Sequence, residues 1–238
     1  MKNILKTVIV ITVLIISQTG YAQETFIRKI DSFKGIILSG NIRVELYKSD
    51  SSGLEITLKD LPRENLITEV EDNKLSIRLK AKSNKTAVVK VKVYYTSLED
   101  LTVSSNSLIT SPEVIAGKSI NFIARSGGKM ELELKLEELK AQVEFGAILV
   151  FKGEVKRQEI AVNSGSTYSA FKLEAEDSYV RAGSGGKAKV KASRIIEANA
   201  SAGGYIAYIG DPVSDFTKTS LGGEVMKYKT EEAAGIEE

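Results

Sequence analysis

The chain has 238 residues, 33 of them basic and 31 acidic, with 42% hydrophobic residues and no histidine, cysteine or tryptophan. Without histidine or cysteine, neither a Ser-His-Asp or Cys-His nucleophile nor a His-ligated metal site can be built within one chain, and no disulfide can brace the fold. The charges are interspersed, with no block of one sign, which argues against nucleic acid or an anionic membrane as a general electrostatic partner.

Residues 1–22 read as an export signal. Lys2 and Lys6 form a basic start, Val8 to Ile16 an apolar run broken only by Thr12, and Gly20-Tyr21-Ala22 a small-residue cleavage site before Gln23. The apolar run is shorter than the ~20 residues that span a bilayer, so no transmembrane segment is expected once the signal is removed. No cysteine follows to carry a lipid. Cleavage removes two lysines and no acid, leaving basic and acidic residues equal in number.

Residues 23–100 carry short strand patterns of period two. Ile42, Val44 and Leu46 alternate with polar residues, as do Leu54, Ile56 and Leu58, then Leu75, Ile77 and Leu79, then Val89, Val91 and Val93. Glu71-Asp72-Asn73-Lys74 and Lys82-Ser83-Asn84-Lys85 have turn chemistry, and Leu61 to Asn65 reads as a loop or a single helical turn.

Residues 101–229 follow a longer period. Gly127, Gly146, Gly165, Gly185, Gly203 and Gly222 are spaced 19, 19, 20, 18 and 19 residues apart, mostly in Ser-Gly or Gly-Gly phrases. Ser105-Asn106-Ser107 stands one period earlier as a glycine-free copy. Three residues after the glycines come Met130, Leu149, Tyr168, Ala188, Ile206 and Val225; five after come Leu132, Phe151, Ala170, Val190, Tyr208 and Lys227. These columns fit stacked parallel strands, so an all-β, right-handed parallel β-helix of about 19 residues per repeat is expected. A leucine-rich repeat fits poorly, and an antiparallel sandwich is the main competitor. Whether residues 23–100 form a separate domain or the irregular start of one solenoid stays open. Lys227 marks the capped end, and the acidic stretch 230–238 is expected to be a disordered tail.

Phe33-Lys34-Gly35-Ile36, followed by Ser39-Gly40-Asn41-Ile42-Arg43-Val44-Glu45-Leu46, resembles the opening motif of the putative auto-transporter adhesin, head GIN domain family. The resemblance extends over roughly residues 30–228, with Asn41 standing where a second glycine is common. It implies an exported protein of a Bacteroidetes-type, Gram-negative bacterium with a β-helix-like fold and a role in surface adhesion. It brings no catalytic residues.

The residue chemistry leaves three readings. The first is a non-enzymatic binding protein, an adhesin or scaffold in the periplasm or on the outer surface, with a glycan or protein ligand and no cofactor or metal. The second is a polysaccharide lyase or hydrolase, which requires acids clustered over neighbouring repeats. Glu131 and Glu133 face outward, but the matching positions are Val150 and Lys152, then Ser169 and Phe171. A calcium roll is disfavoured because lysine follows the glycines at positions 129 and 187. The third is self-assembly into a homo-oligomer. Tyr205 and Lys187 are the candidate binding residues, since both belong to the outward column two residues after the glycines and an exposed tyrosine stacks on sugars or anchors protein contacts.

Overall fold

A computed structural model describes residues 23–80 and 87–229. The expected signal, the tail at 230–238 and the turn at Lys82–Lys85 lie outside the described residues. Strands make up 68% of the described residues and form a β-solenoid of about seven turns, with a repeat of about 19 residues. The described residues contain no α-helix, only a 3₁₀ turn at Arg63–Asn65.

The first half supplies β1 (Glu24–Lys29), β2 (Gly35–Ser39), β3 (Arg43–Lys48), β4 (Gly53–Lys59), β5 (Leu66–Glu71), β6 (Lys74–Leu79), β7 (Val88–Tyr95), β8 (Asp100–Ser104) and β9 (Leu108–Thr110). The second half supplies β10 (Ile115–Ala124), β11 (Lys129–Val143), β12 (Ile148–Val162), β13 (Thr167–Ala182) and β14 (Lys187–Lys191). It ends with β15 (Ile195–Ser201), β16 (Tyr205–Ile209), β17 (Ser214–Ser220) and β18 (Glu224–Lys227).

The repeat is set by its corners. Between β10 and β11, Gly128 N–H donates to the Arg125 carbonyl at 2.9 Å. Both central residues are left-handed, Ser126 at φ 50° and Gly127 at 73°. This is the mirror-image turn that glycine enters without steric cost. The residue before each glycine is left-handed too, even Phe145 at 57° and Leu221 at 48°. A small residue is therefore not what that position demands. Ser105 and Asn106 make the same turn without glycine, at 55° and 58°.

Corners are tied to one another along the solenoid. Gly127 N–H donates to the Phe145 carbonyl, Gly146 to Ser164, Gly165 to Ser184, and Gly185 to Ala202. Asn106 N–H to the Ser126 carbonyl and Asn41 N–H to the Ser105 carbonyl extend the ladder toward the N-terminus.

Strand register then aligns the columns. Met130 pairs with Leu149, Leu149 with Tyr168, Tyr168 with Ala188, and Ala188 with Ile206, all of them buried. The expected second inward column is also buried up to Tyr208. One irregularity accounts for the spacing of 20 between Gly165 and Gly185: the β12–β13 register slips between Val150 and Lys152, so Lys152 pairs with Lys172. This bulge swings Phe171 out of the main core into a small cluster with Ala207 and Ile209, against which Tyr205 and Tyr228 pack. The alignment of Phe171 with Glu133 and Lys152 is corrected accordingly, because the extra residue puts Lys172 in that column.

The N-terminal strands enter the same sheet out of sequence order. β2 lies between β6 and β8, and β3 between β7 and β9, all parallel. Antiparallel β4 pairs with β7, β1 with β4, and β5 with β6. A single cluster of buried side chains runs from Phe33 to Tyr208. At the other end the inward columns turn polar: Ile196, Ala198 and Ala200 are succeeded by Asp215, Thr217 and Thr219. A terminal repeat needs such polarity because no further repeat covers it.

The two corner glycines are expected to fail differently. A Cβ at Gly203 meets nothing within 4 Å, so Gly203→Ala should cost only the left-handed backbone, about 1–2 kcal/mol. A Cβ at Gly204 would lie 2.2 Å from the Ala182 carbonyl oxygen, so Gly204→Ala should cost more in urea denaturation. Equal losses, or the reverse order, would contradict this account of the corner.

Candidate binding surface

Each repeat presents two outward faces, one after the glycine corner and one before it. Lys187 and Tyr205 share the post-corner face and are direct partners across β14 and β16. Lys187 is exposed, but Tyr205 is half-buried, and its hydroxyl lies 2.7 Å from that of Tyr228. Burial, the Tyr228 hydrogen bond and nearby negative charge all push the Tyr205 hydroxyl well above its ordinary range. Its ring therefore packs on the Phe171 cluster rather than standing free. On the same side and at the second bend of each repeat, lysines and glutamates of adjacent repeats pair, as in Lys152–Glu133 at 2.9 Å and Lys156–Glu137 at 3.5 Å.

The pre-corner face is different. Six residues before successive glycines stand Asn121, Lys140, Glu159, Tyr179 and Glu197, and four before stand Ile123, Gln142, Ala161, Arg181 and Asn199. Strand register places each column in line across β10, β11, β12, β13 and β15. A groove of 440 Å³ runs over this face. Its floor exists because Ala161 contributes only a methyl group between Gln142 and Arg181. Arg157 lies over the Tyr179 ring, 4.3 Å from its centre, in a cation–π contact. Among the described residues Lys140, Arg157 and Arg181 join no ion pair. Asn199 Nδ2 donates to Glu197 at 3.2 Å, and Asn121 Nδ2 to Asp100 at 3.2 Å.

This groove was missed from the sequence, although the glycine alignment that revealed the inward columns contains it. Tyr179, Glu159 and Glu197 also place two carboxylates in one column, two strands apart. Tyr179 stands between them, so the two acids do not occupy adjacent repeats. Tyr168 and Tyr208 are buried, as their columns require, and their hydroxyls are satisfied inside. Tyr168 donates to Gln158 at 2.7 Å, and Tyr208 to Asp215. Tyr94 faces outward and stacks on Tyr47 at 5.6 Å, while Tyr95 points inward.

The sequence matches the family described as putative auto-transporter adhesin, head GIN domain, over residues 32–212. The chain belongs to this head GIN domain family. No curated protein matches it. Among solved structures, this head GIN chain is similar to a putative adhesin from Bacteroides fragilis, with 16% identity, 87% of this chain and 97% of that one covered, and a TM-score of 0.76. It is likewise similar to a putative lipid binding protein from Parabacteroides distasonis, with 21% identity, coverage of 88% and 98%, and a TM-score of 0.72. A putative adhesin from Parabacteroides merdae gives 16% identity, 87% and 96% coverage, and a TM-score of 0.68. At these identities the likeness establishes the fold.

The internal tyrosines make the fold sensitive to alkali. Burial, and then the bond to Asp215, push the Tyr208 hydroxyl up to about 12, and full burial raises Tyr168 further. A tyrosine whose folded pKa lies above its unfolded value near 10 contributes stability below pH 10 and loses it as pH rises toward the folded value. Stability should therefore be flat through neutral pH and fall from about pH 10 upward. Tyrosinate absorbance should rise together with loss of circular dichroism; free titration of all tyrosines near 10 in the folded chain would contradict this.

Proposed function

We propose that this head GIN chain is an exported, non-enzymatic binding module of the cell envelope that works as an adhesin. It would act in the periplasm or on the outer surface of a Gram-negative bacterium, with a glycan or protein ligand held on the pre-corner face. Lys187 and Tyr205 become a secondary contact area in this reading. Family membership supports adhesion, and the sequence of residues 1–22 supports export. The observation that carries the choice of face is the groove over Ala161, where Lys140, Arg157 and Arg181 are not engaged in ion pairs, whereas Lys152 and Lys156 elsewhere on the solenoid pair with Glu133 and Glu137. Charged side chains outside ion pairs around a concavity are available to a ligand.

Hydrolysis is a second reading, favoured by the placement of Glu159 and Glu197 on either side of Tyr179. Two strand spacings separate their backbones by roughly 9–10 Å, near the upper end of carboxyl separations in inverting glycosidases. One experiment separates the readings. The chain from residue 23 to 238 is applied to a glycan array and to envelope extracts, and bound saccharides are assayed for new reducing ends. Saturable, selective binding without turnover is expected. Turnover abolished by Glu159→Gln would replace the adhesin reading with the enzymatic one, and absence of all binding would refute it.

A further inference from the structure

We infer that the pre-corner groove recognises an uncharged oligosaccharide, with one sugar ring seated on Ala161 between Arg181 and Glu159; this rests on the binding-module reading above. Three features of the groove converge on that ligand class. The first is shape: the half-buried Ala161 methyl leaves a shallow apolar floor, while its neighbours in the same column, Gln142 and Arg181, are long. A sugar ring has the matching form, with a flat patch of C–H bonds bordered by hydroxyl groups.

The second feature is the chemistry of the rim. Guanidinium, carboxylate and primary amide groups are planar and offer two adjacent donors or acceptors in fixed geometry. Neighbouring hydroxyls on a sugar ring present a donor and an acceptor side by side, which such groups engage as a pair. Around the floor these groups come from Arg181, Glu159 and Gln142, with Asn199 and Glu197 following along the strands. Tyr179, backed by Arg157, supplies an aromatic surface beside the floor, one strand along. A hydrophobic peptide would find too little apolar area here, and its backbone would meet no open strand edge, since β11, β12 and β13 are paired on both sides.

The third feature is charge balance. The groove is lined by three cations, Lys140, Arg157 and Arg181, and two carboxylates, Glu159 and Glu197. A polyanion threading across the strands would meet a carboxylate on β12 and again on β15, each repelling it. A neutral polyol gains from both signs. The strands repeat at about 4.8 Å, so successive sugars of an extended chain laid across them meet successive sets of polar groups.

The test uses the chain from residue 23 to 238, titrated calorimetrically with neutral and acidic oligosaccharides. Ala161→Trp fills the floor from outside without touching the core, and Arg181→Gln removes one rim charge while keeping a planar group. Melting curves establish that each variant is folded, and Arg181→Gln decides the matter if Ala161→Trp is not. Binding of a neutral oligosaccharide is expected, weakened at least about tenfold by Ala161→Trp and several-fold by Arg181→Gln. It should change little from about 0.05 to about 0.5 M salt, because no net charge is neutralised. Unchanged affinity in both folded variants would overturn the groove assignment while leaving the binding module intact. Preference for acidic chains with a steep salt dependence would overturn the neutral-sugar assignment. So would capture of an envelope protein, blocked by Ala161→Trp, in the absence of sugar binding. Failure to bind sugars or envelope components at all would defeat the broader reading as well.

Discussion

The fold depends on a line of backbone hydrogen bonds that joins one corner to the next. Each corner closes on itself through a left-handed pair of residues, and from Asn41 to Gly203 a corner N–H reaches the carbonyl of the neighbouring repeat. Because the line is continuous, an inner repeat cannot slide without breaking the corner bond on each side of it. A slip of one residue would turn every inward side chain outward. The ladder thus converts a loose 19-residue period into strict columns, and the columns decide which side chains meet in the core and which meet on the surface. At Phe171 the one extra residue is absorbed by a bulge, and the glycine spacing returns to register two corners later.

The same constraint explains how the N-terminal strands join. β2 and β3 wait for partners 65 residues further on, β8 and β9, and accept β6 and β7 on the other side. Closing 65 residues rather than 19 costs about 1 kcal/mol more in chain entropy, a modest sum beside the apolar surface buried. Ser107, replacing the glycine found in several later corners, donates its position to a bond across this junction, with Ile42 N–H reaching its hydroxyl at 3.2 Å. The antiparallel β4, β1 and β5 then cover the end of the stack, so that end is protected by strand pairing while the C-terminal end relies on polar inward residues.

What could be read from sequence follows from what repeats. The glycine period and the inward columns were legible because backbone geometry and burial impose the same residue classes at every repeat. The order of β2, β6 and β8 was not, since nothing in a strand of alternating valines and lysines names its neighbour. The bulge was hidden for a related reason: spacings of 20 and then 18 locate an irregularity without saying which residue it expels. Phe145 and Leu221 at left-handed corners were illegible because backbone bonds, not their side chains, tie them there, their carbonyls accepting from Gly127 and Gly203 N–H. The groove was legible in principle. Counting backward from the glycines rather than forward finds Ala161 beneath Gln142 and Arg181, but an alanine in an outward column looks like a neutral position until its neighbours are known to be long.

Charge placement supplies the strongest link from architecture to the proposed binding role. Exposed ion pairs contribute little stability each, typically below about 1 kcal/mol, so pairing lysines with glutamates across repeats chiefly neutralises a surface. The solenoid does this at its second bend and on its post-corner face, where Lys135–Glu154, Lys152–Glu133 and Lys156–Glu137 lie side by side. The same two residue classes occur on the pre-corner face in neighbouring strands, Lys140 beside Glu159, yet they do not close into a pair. Proximity was available and was not used. In the proposed binding role, Lys140, Arg181 and Glu159, which close no ion pair with one another around the Ala161 floor, supply groups of both signs, and that two-signed character favours hydroxyl groups over a bare charge.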